Sequence, residues 1–214
     1  MMGRARRLYW AARALVCSRT LLLFRLVPEA TRESPIRAIG GVLATVPMEL
    51  LVRLAENRGA PVSDYVRRMG ERHRLLLACD ADEQPVASGW LTLPRQRVSA
   101  IPWEWNTRVQ VSPGQGFLWD FYTEPHARGQ GLYRGILRRA VEYCADHDCH
   151  SLMIHCNEQN RASRRAILAS GFRENASLLI TRFGPLYAIK GPCGRQLVWS
   201  GRPARLDLLC TPAE

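Results

Sequence analysis

Lysine is almost missing from this chain: of 30 Lys and Arg residues in 214, only Lys190 is lysine. So lopsided a use of arginine is as readily a GC-rich coding bias as a functional choice, and part of the +11 net charge is discounted on that ground. What remains favours anionic partners: phosphorylated cofactors, acidic carrier proteins, nucleic acid or lipid headgroups. Long apolar runs are missing too. The run Leu21 to Phe24, like the five residues Leu75 to Cys79, falls far short of the stretch of about 20 residues that a membrane-spanning helix needs. Cysteine is present but forms no framework: there are seven, an odd number, unevenly spaced, behind an N-terminus with no small-residue cleavage site. That pattern speaks against disulfides and for a reducing, cytoplasmic compartment. Internal repeats and low-complexity linkers are also missing. With 47% hydrophobic and 23% charged residues, the composition excludes wholesale disorder, collagen-like and coiled-coil chains, and a packed domain is expected.

Two regions are expected. Residues 1–34 form a basic extension: Arg4, Arg6, Arg7, Arg13, Arg19 and Arg25 precede any acid, and Leu8, Ala12, Leu15, Leu22 and Leu26 recur at three- and four-residue steps. Three readings of its first 28 residues stay open: a helix and strand docked on the domain with arginine stems over apolar surface, a segment that docks on a membrane surface or acidic protein, and a cleaved transit peptide. Residues 35–214 alternate short strands and helices. Strands are expected at 36–42, 75–79, 86–93, 116–125 and 151–156, and helices at 47–57, 61–72, 132–146 and 160–170, with closing strands after Phe172. Strands and helices mixed in this way predict an α+β (α/β mixed) domain, a sheet with helices on its faces.

The most informative stretch is TEPHARGQGLYRGILRRA, residues 123–140. A strand ends at Pro125 and runs through a glycine turn into an amphipathic helix, the layout of an anion site. Gly129 and Gly131 allow close approach of the backbone, and the free N–H groups at the start of the helix face the anion. The Walker pattern requires Gly-Lys-Ser/Thr and the Rossmann pattern G-x-G-x-x-G followed by an acid; both are missing. The ligand is then another diphosphate.

Here the sequence resembles the GNAT acetyltransferase superfamily, whose signature at this junction is Arg/Gln-x-x-Gly-x-Gly/Ala. The match is Arg128-Gly129-Gln130-Gly131-Leu132-Tyr133, and a second signature is matched by Asn160, Ser163, Gly171 and Phe172. The resemblance covers roughly residues 35–183. It implies the family's fold, a central mixed β-sheet flanked by helices, and an acetyl-CoA or other acyl-CoA co-substrate. In that arrangement the backbone N–H groups from Arg128 to Tyr133 hold the pyrophosphate with Arg134 as a further cofactor contact, an N–H near Thr123 polarises the thioester carbonyl, and Asn160 contacts the pantetheine arm. Acetyl transfer then proceeds by direct attack of an amine. Two positions depart from the pattern: Tyr133 stands where Gly or Ala is usual, and Ile167 where many members carry a tyrosine that protonates the thiolate.

For the base, His155 is the first candidate, since its ordinary pKa lies near working pH. Asp120 and Glu124 follow, with Tyr122 as an acid. Phe117, Trp119 and Phe121 fall on the opposite strand parity, either lining the acceptor pocket or forming plain core. Cys144, His147, Cys149, His150, His155 and Cys156 crowd together, yet their spacing fits no closed tetrahedral zinc pattern, and no metal is expected. Arg134, Arg138, Arg139, Arg161, Arg164 and Arg165 form either a solvated face, with Arg138 paired to Glu142, or phosphate contacts. Aromatics that cluster on one strand rather than interleave with basic residues argue against nucleic acid.

The reading that results is an acetyl-CoA-dependent N-acetyltransferase for an amino sugar or another small amine. The alternatives are a long-chain N-acyltransferase served by acyl-carrier protein, which the basic N-terminus would dock, and a silent acyl-CoA-binding module. Residues 95–113, with Trp103, Glu104, Trp105 and Asn106, are a candidate acceptor loop.

Overall fold

The fold is taken from a computed structural model, which describes residues 16–27, 42–43, 46–70, 73–93, 97–98, 107–111, 114–147, 149–192, 194–199 and 204–207. Trp103, Glu104, Trp105 and Asn106, and most of the strand expected at 36–42, lie outside them. In chain order the elements are β1 (Val16–Leu26), β2 (Val42–Leu43), α1 (Met48–Asn57), α2 (Val62–Gly70), β3 (Arg74–Cys79), β4 (Pro85–Thr92), β5 (Arg97–Val98), β6 (Thr107–Gln110), β7 (Gln115–Thr123), α3 (Leu132–Ala145), β8 (Ser151–Asn157), α4 (Arg161–Ala169), β9 (Arg173–Phe183), β10 (Leu186–Gly191), β11 (Gly194–Trp199) and β12 (Ala204–Asp207). Nine strands make one sheet in the order β11-β10-β9-β1-β8-β7-β4-β3-β2, and β12-β6-β5 form a smaller one. The chain therefore has the expected mixed sheet with helices on its faces. Among the described residues no helix is long and apolar enough to cross a membrane.

The core lies in two layers. Leu51, Leu54 and Tyr65 of α1 and α2 pack with Leu75, Leu77, Trp90, Phe117, Trp119 and Met153 on one face of the sheet. Ile136, Leu137, Ala140, Val141 and Cys144 of α3, with Ile167 of α4, pack with Leu76, Leu91, Leu118, Leu152 and Ile154 on the other. A strand with both faces covered reads as a continuous apolar run instead of alternating. The segment Leu21-Leu22-Leu23-Phe24 is such a run. These residues, within the stretch read above as a basic extension, sit in the middle of β1, which pairs antiparallel with β8 on one side and β9 on the other. Leu21 and Leu23 face α1 and α2, and Leu22 and Phe24 face α3 and α4. The first 15 residues lie outside the described ones.

Two irregularities open the sheet. Strands β7 and β8 are parallel and pair only over Gln115–Leu118 and Ser151–Ile154. Beyond Leu118 each strand keeps its other neighbour, β4 or β1, and the two diverge. In β7 the register on β4 runs Trp119 to Trp90 and Tyr122 to Ser88, so Asp120 and Phe121 together oppose Gly89. This is a β-bulge, with Asp120 at φ +52°. Gly89 is required there, because a Cβ would run into the Phe121 ring. The bulge corrects the parity expected for the strand: Phe117 and Trp119 lie on the α1–α2 side, whereas Phe121 turns to the α3–α4 side.

Candidate functional site

The glycine turn closes on itself as a crown of donors. Pro125 ends β7 in a short 3₁₀ turn (Pro125–Ala127), and Arg128 Nε donates to the Thr123 carbonyl at 3.0 Å, pinning the loop to the end of β7. Gln130 Nε2 donates to the His126 carbonyl at 3.4 Å. Gly129 and Gly131 both stand at φ +79°, a conformation glycine adopts freely, and Gly131 is the N-cap of α3. The helix's own ladder starts with the Gly135 N–H bonded to the Gly131 carbonyl at 3.0 Å. Among the described residues, the N–H groups of Gly129, Gln130, Gly131, Leu132, Tyr133 and Arg134 have no acceptor. Nothing lies within 4 Å of where a Cβ would stand at Gly129 or Gly131. An open row of donors at the positive end of a 14-residue helix suits the pyrophosphate of a CoA thioester.

Charge at the two helix starts agrees. Arg134 in the first turn of α3 and Arg161 in the first turn of α4 are exposed, and neither turn holds an acid. Cations there oppose the helix dipoles unless an anion joins them. Arg138 and Arg139 are instead engaged by Glu142 at 2.9 and 2.8 Å, and Arg164 by Glu174 at 3.0 Å. Tyr133, in the position usually held by Gly or Ala, does not obstruct the crown. Its ring packs on Phe121 with centroids 5.1 Å apart, and its hydroxyl lies 3.1 Å from Ser163 Oγ, between α3, α4 and β7. Asn160 caps α4 by accepting from the Ser163 N–H at 3.1 Å, which leaves its amide nitrogen and a second lone pair on the oxygen for a ligand. Ile167 is fully buried.

The other candidates gather on the α1–α2 side of the opening. Asp120 is bound by Arg58 Nη2 at 2.6 Å and Arg68 Nη1 at 2.5 Å. Burial would raise its pKa, but the two guanidinium groups outweigh that and hold it below the ordinary carboxylate range. Asp120 is thus an anion locked between cations, which is unsuited to proton uptake. Arg68 lies over the rings of Trp119 at 4.8 Å and of Tyr65 and Trp90, both at 5.3 Å. Arg58 lies over Tyr122 at 5.2 Å. Neither arginine stood out in the sequence, where nothing local separates them from the rest. Tyr122 Oη donates to Glu124 Oε2 at 3.4 Å, and both line a shallow groove with Leu54, Arg58, Pro85 and Ser88.

His155 stands where β8 parts from β7, stacked on Phe117 at 5.8 Å. Its Nδ1 is buried without a partner. Burial pulls the imidazole down to about 4, against the raising influence of the Asp120 charge. The folded protein therefore carries this ring neutral while the unfolded chain binds a proton below its ordinary value of 6.5. Stability should fall as pH drops from about 6.5 towards 4, by up to about 3 kcal/mol. Urea midpoints of wild type and His155→Gln across that range test this. Parallel profiles would contradict the shift.

Among the described residues no three His, Cys, Asp or Glu side chains are grouped to hold a metal, and Cys17, Cys79, Cys144, Cys149 and Cys156 are free thiols. The model of the acetyltransferase (GNAT) family matches residues 47–172, and the chain belongs to that family. No curated protein matches the chain. Similar solved structures include a GNAT-family acetyltransferase from Colwellia psychrerythraea, 16% identical with TM-score 0.56, covering 85% of this chain and 62% of that one. Another is a GCN5-related N-acetyltransferase from Sphaerobacter thermophilus, 12% identical with TM-score 0.54, covering 97% and 59%. At such identities the likeness is one of fold. The chain spans about three fifths of the length of each of these structures.

Proposed function

We propose that this protein is a cytoplasmic, acetyl-CoA-dependent N-acetyltransferase acting on a small amine. The observation that carries the reading is the crown of unbonded N–H groups from Gly129 to Arg134, tied by Arg128 to the strand end where β7 and β8 part. Its donors would take the pyrophosphate, with Arg134 and Arg161 beside it. Acetyl-CoA supplies the acyl group as a thioester. The bulge at Asp120 and Phe121 leaves a main-chain N–H outside the ladder, and we place the carbonyl-polarising donor there rather than at Thr123, which keeps its partner Ala87.

We assign the base to Glu124 ahead of His155. Glu124 lines the open groove, whereas the His155 ring is held neutral by burial with its Nδ1 sealed away from any partner. Glu124 takes one proton from the acceptor ammonium and releases it to solvent, which frees the amine to attack; as the adduct collapses Glu124 takes the second proton from the nitrogen, Tyr122 gives its own to the departing thiolate, and Glu124 passes its proton to Tyr122. Because Glu124 and Tyr122 line the groove, a catalytic protein is favoured over a silent binding module.

Calorimetric titration with acetyl-CoA, followed by thiol release over a panel of amines, tests the reading. Absence of acetyl-CoA binding would refute it. Glu124→Gln should lower kcat/KM by about 100-fold or more with acetyl-CoA affinity intact. A larger loss in His155→Ala than in Glu124→Gln would return the base to His155.

A further inference from the structure

The groove between α1, the start of β4 and the end of β7 carries two unlike charges that do not neutralise each other. Arg58 and Glu124 both line it, yet they form no ion pair. Glu124 accepts from the Tyr122 hydroxyl and forms no ion pair with a described cation. On the cationic side, among the described residues, Arg58 and Arg68 share one carboxylate, Asp120, which leaves one positive charge in excess there. The Arg58 side chain, which lines that groove, keeps about a fifth of its surface open (21%), and its guanidinium is steadied against the Tyr122 ring. A guanidinium spends one edge on a carboxylate and still offers donors in its plane to another.

Resting on the transferase reading above, we infer that the acceptor is an amine bearing its own carboxylate, an amino acid or a compound built like one. Its ammonium pairs with Glu124, which then takes the proton. Its carboxylate completes the Arg58–Asp120–Arg68 cluster as the second anion. A polycationic amine would satisfy Glu124 but bring further positive charge against the surplus on Arg58 and Arg68. An amino sugar, which carries no carboxylate, would leave the guanidinium without its anion.

The test uses the full chain with acetyl-CoA and measures thiol release against matched acceptors: amino acids, their carboxamides and the corresponding decarboxylated amines. The expected result is a kcat/KM at least about tenfold higher for the carboxylate member of each set, expressed mainly in KM. Arg58→Met should bring the ratio below about threefold through KM, with acetyl-CoA affinity unchanged. Should that variant fail to fold, Arg58→Lys, which keeps the charge facing Asp120 but loses the fork, should still cut the preference by about threefold or more. Equal use of all three acceptor types, or preference for those without a carboxylate, overturns the inference while leaving the transferase reading in place. Acetyl-CoA binding with no acceptor acetylated overturns it as well. Failure to bind acetyl-CoA would remove the reading itself, and the inference with it.

Discussion

Gly131→Val should lose the acetyl-CoA-dependent rise in Tm altogether. A ligand that binds only the folded state at 100 times its Kd adds about 2.7 kcal/mol, which for a chain of this size raises Tm by about 5–10 °C. Gly131 stands at φ +79° with open space where a side chain would project. Valine is doubly unsuited there: its branched side chain strains the left-handed backbone, and its methyl groups would occupy the space in front of the Leu132 and Tyr133 N–H donors. Strain alone could lower the melting temperature of the free protein, so the readout is the shift, measured against each variant's own baseline. Gly131→Asn separates the two effects, because asparagine tolerates the left-handed region while still covering the donors. It should keep the free-protein Tm near wild type and still lose most of the shift. A full shift in the asparagine variant would move the pyrophosphate away from this loop.

That loop was legible from sequence because everything it needs is local. The proline that ends the strand, the two glycines and the amphipathic run after them lie within a few residues, and the helix expected over 132–146 is found at Leu132–Ala145. Features that depend on distant pairing were harder to read. The leucine and arginine spacing near the N-terminus suggested an amphipathic segment, and the sign that β1 is a central strand was smaller: four apolar residues in a row, too few to separate a strand buried on both faces from a buried helix turn. Strand parity placed Asp120, Tyr122 and Glu124 together and Phe121 opposite them, as found, but could not foresee one extra residue in the ladder, so Phe117 and Trp119, expected opposite Asp120, share its α1–α2 side. The Asn160 cap was visible only as part of a family motif. Nothing local marked Arg58 and Arg68, which acquire their meaning from a carboxylate 62 and 52 residues away.

That carboxylate should be the most costly side chain to remove on the acceptor side. Asp120 is held at a positive φ that non-glycine residues seldom adopt, which a fold tolerates only when surrounding contacts over-determine it. Two guanidinium groups supply those contacts, with 21% and 18% of their side-chain surface exposed. Asp120→Ala leaves both charges without a counter-ion and should destabilise the protein by about 3 kcal/mol, near the lower end for breaking a buried pair because the arginines keep some access to water. Asp120→Asn retains the shape and the tolerance for positive φ while removing the charge, so it should recover part of that loss and isolate the electrostatic share. The pH dependence gives a second check. With its folded pKa below the unfolded value, Asp120 contributes stability that is complete above the unfolded carboxylate range and disappears only as pH falls through the folded value. Wild type should therefore keep this contribution through the window in which His155 is already costing stability, and the gap in urea midpoint between wild type and Asp120→Asn should stay wide down to about pH 4 and close below it. A gap that closes near pH 6 would mean that the cluster does not hold Asp120 as an anion, and the surplus charge assigned to Arg58 and Arg68 would have to be abandoned.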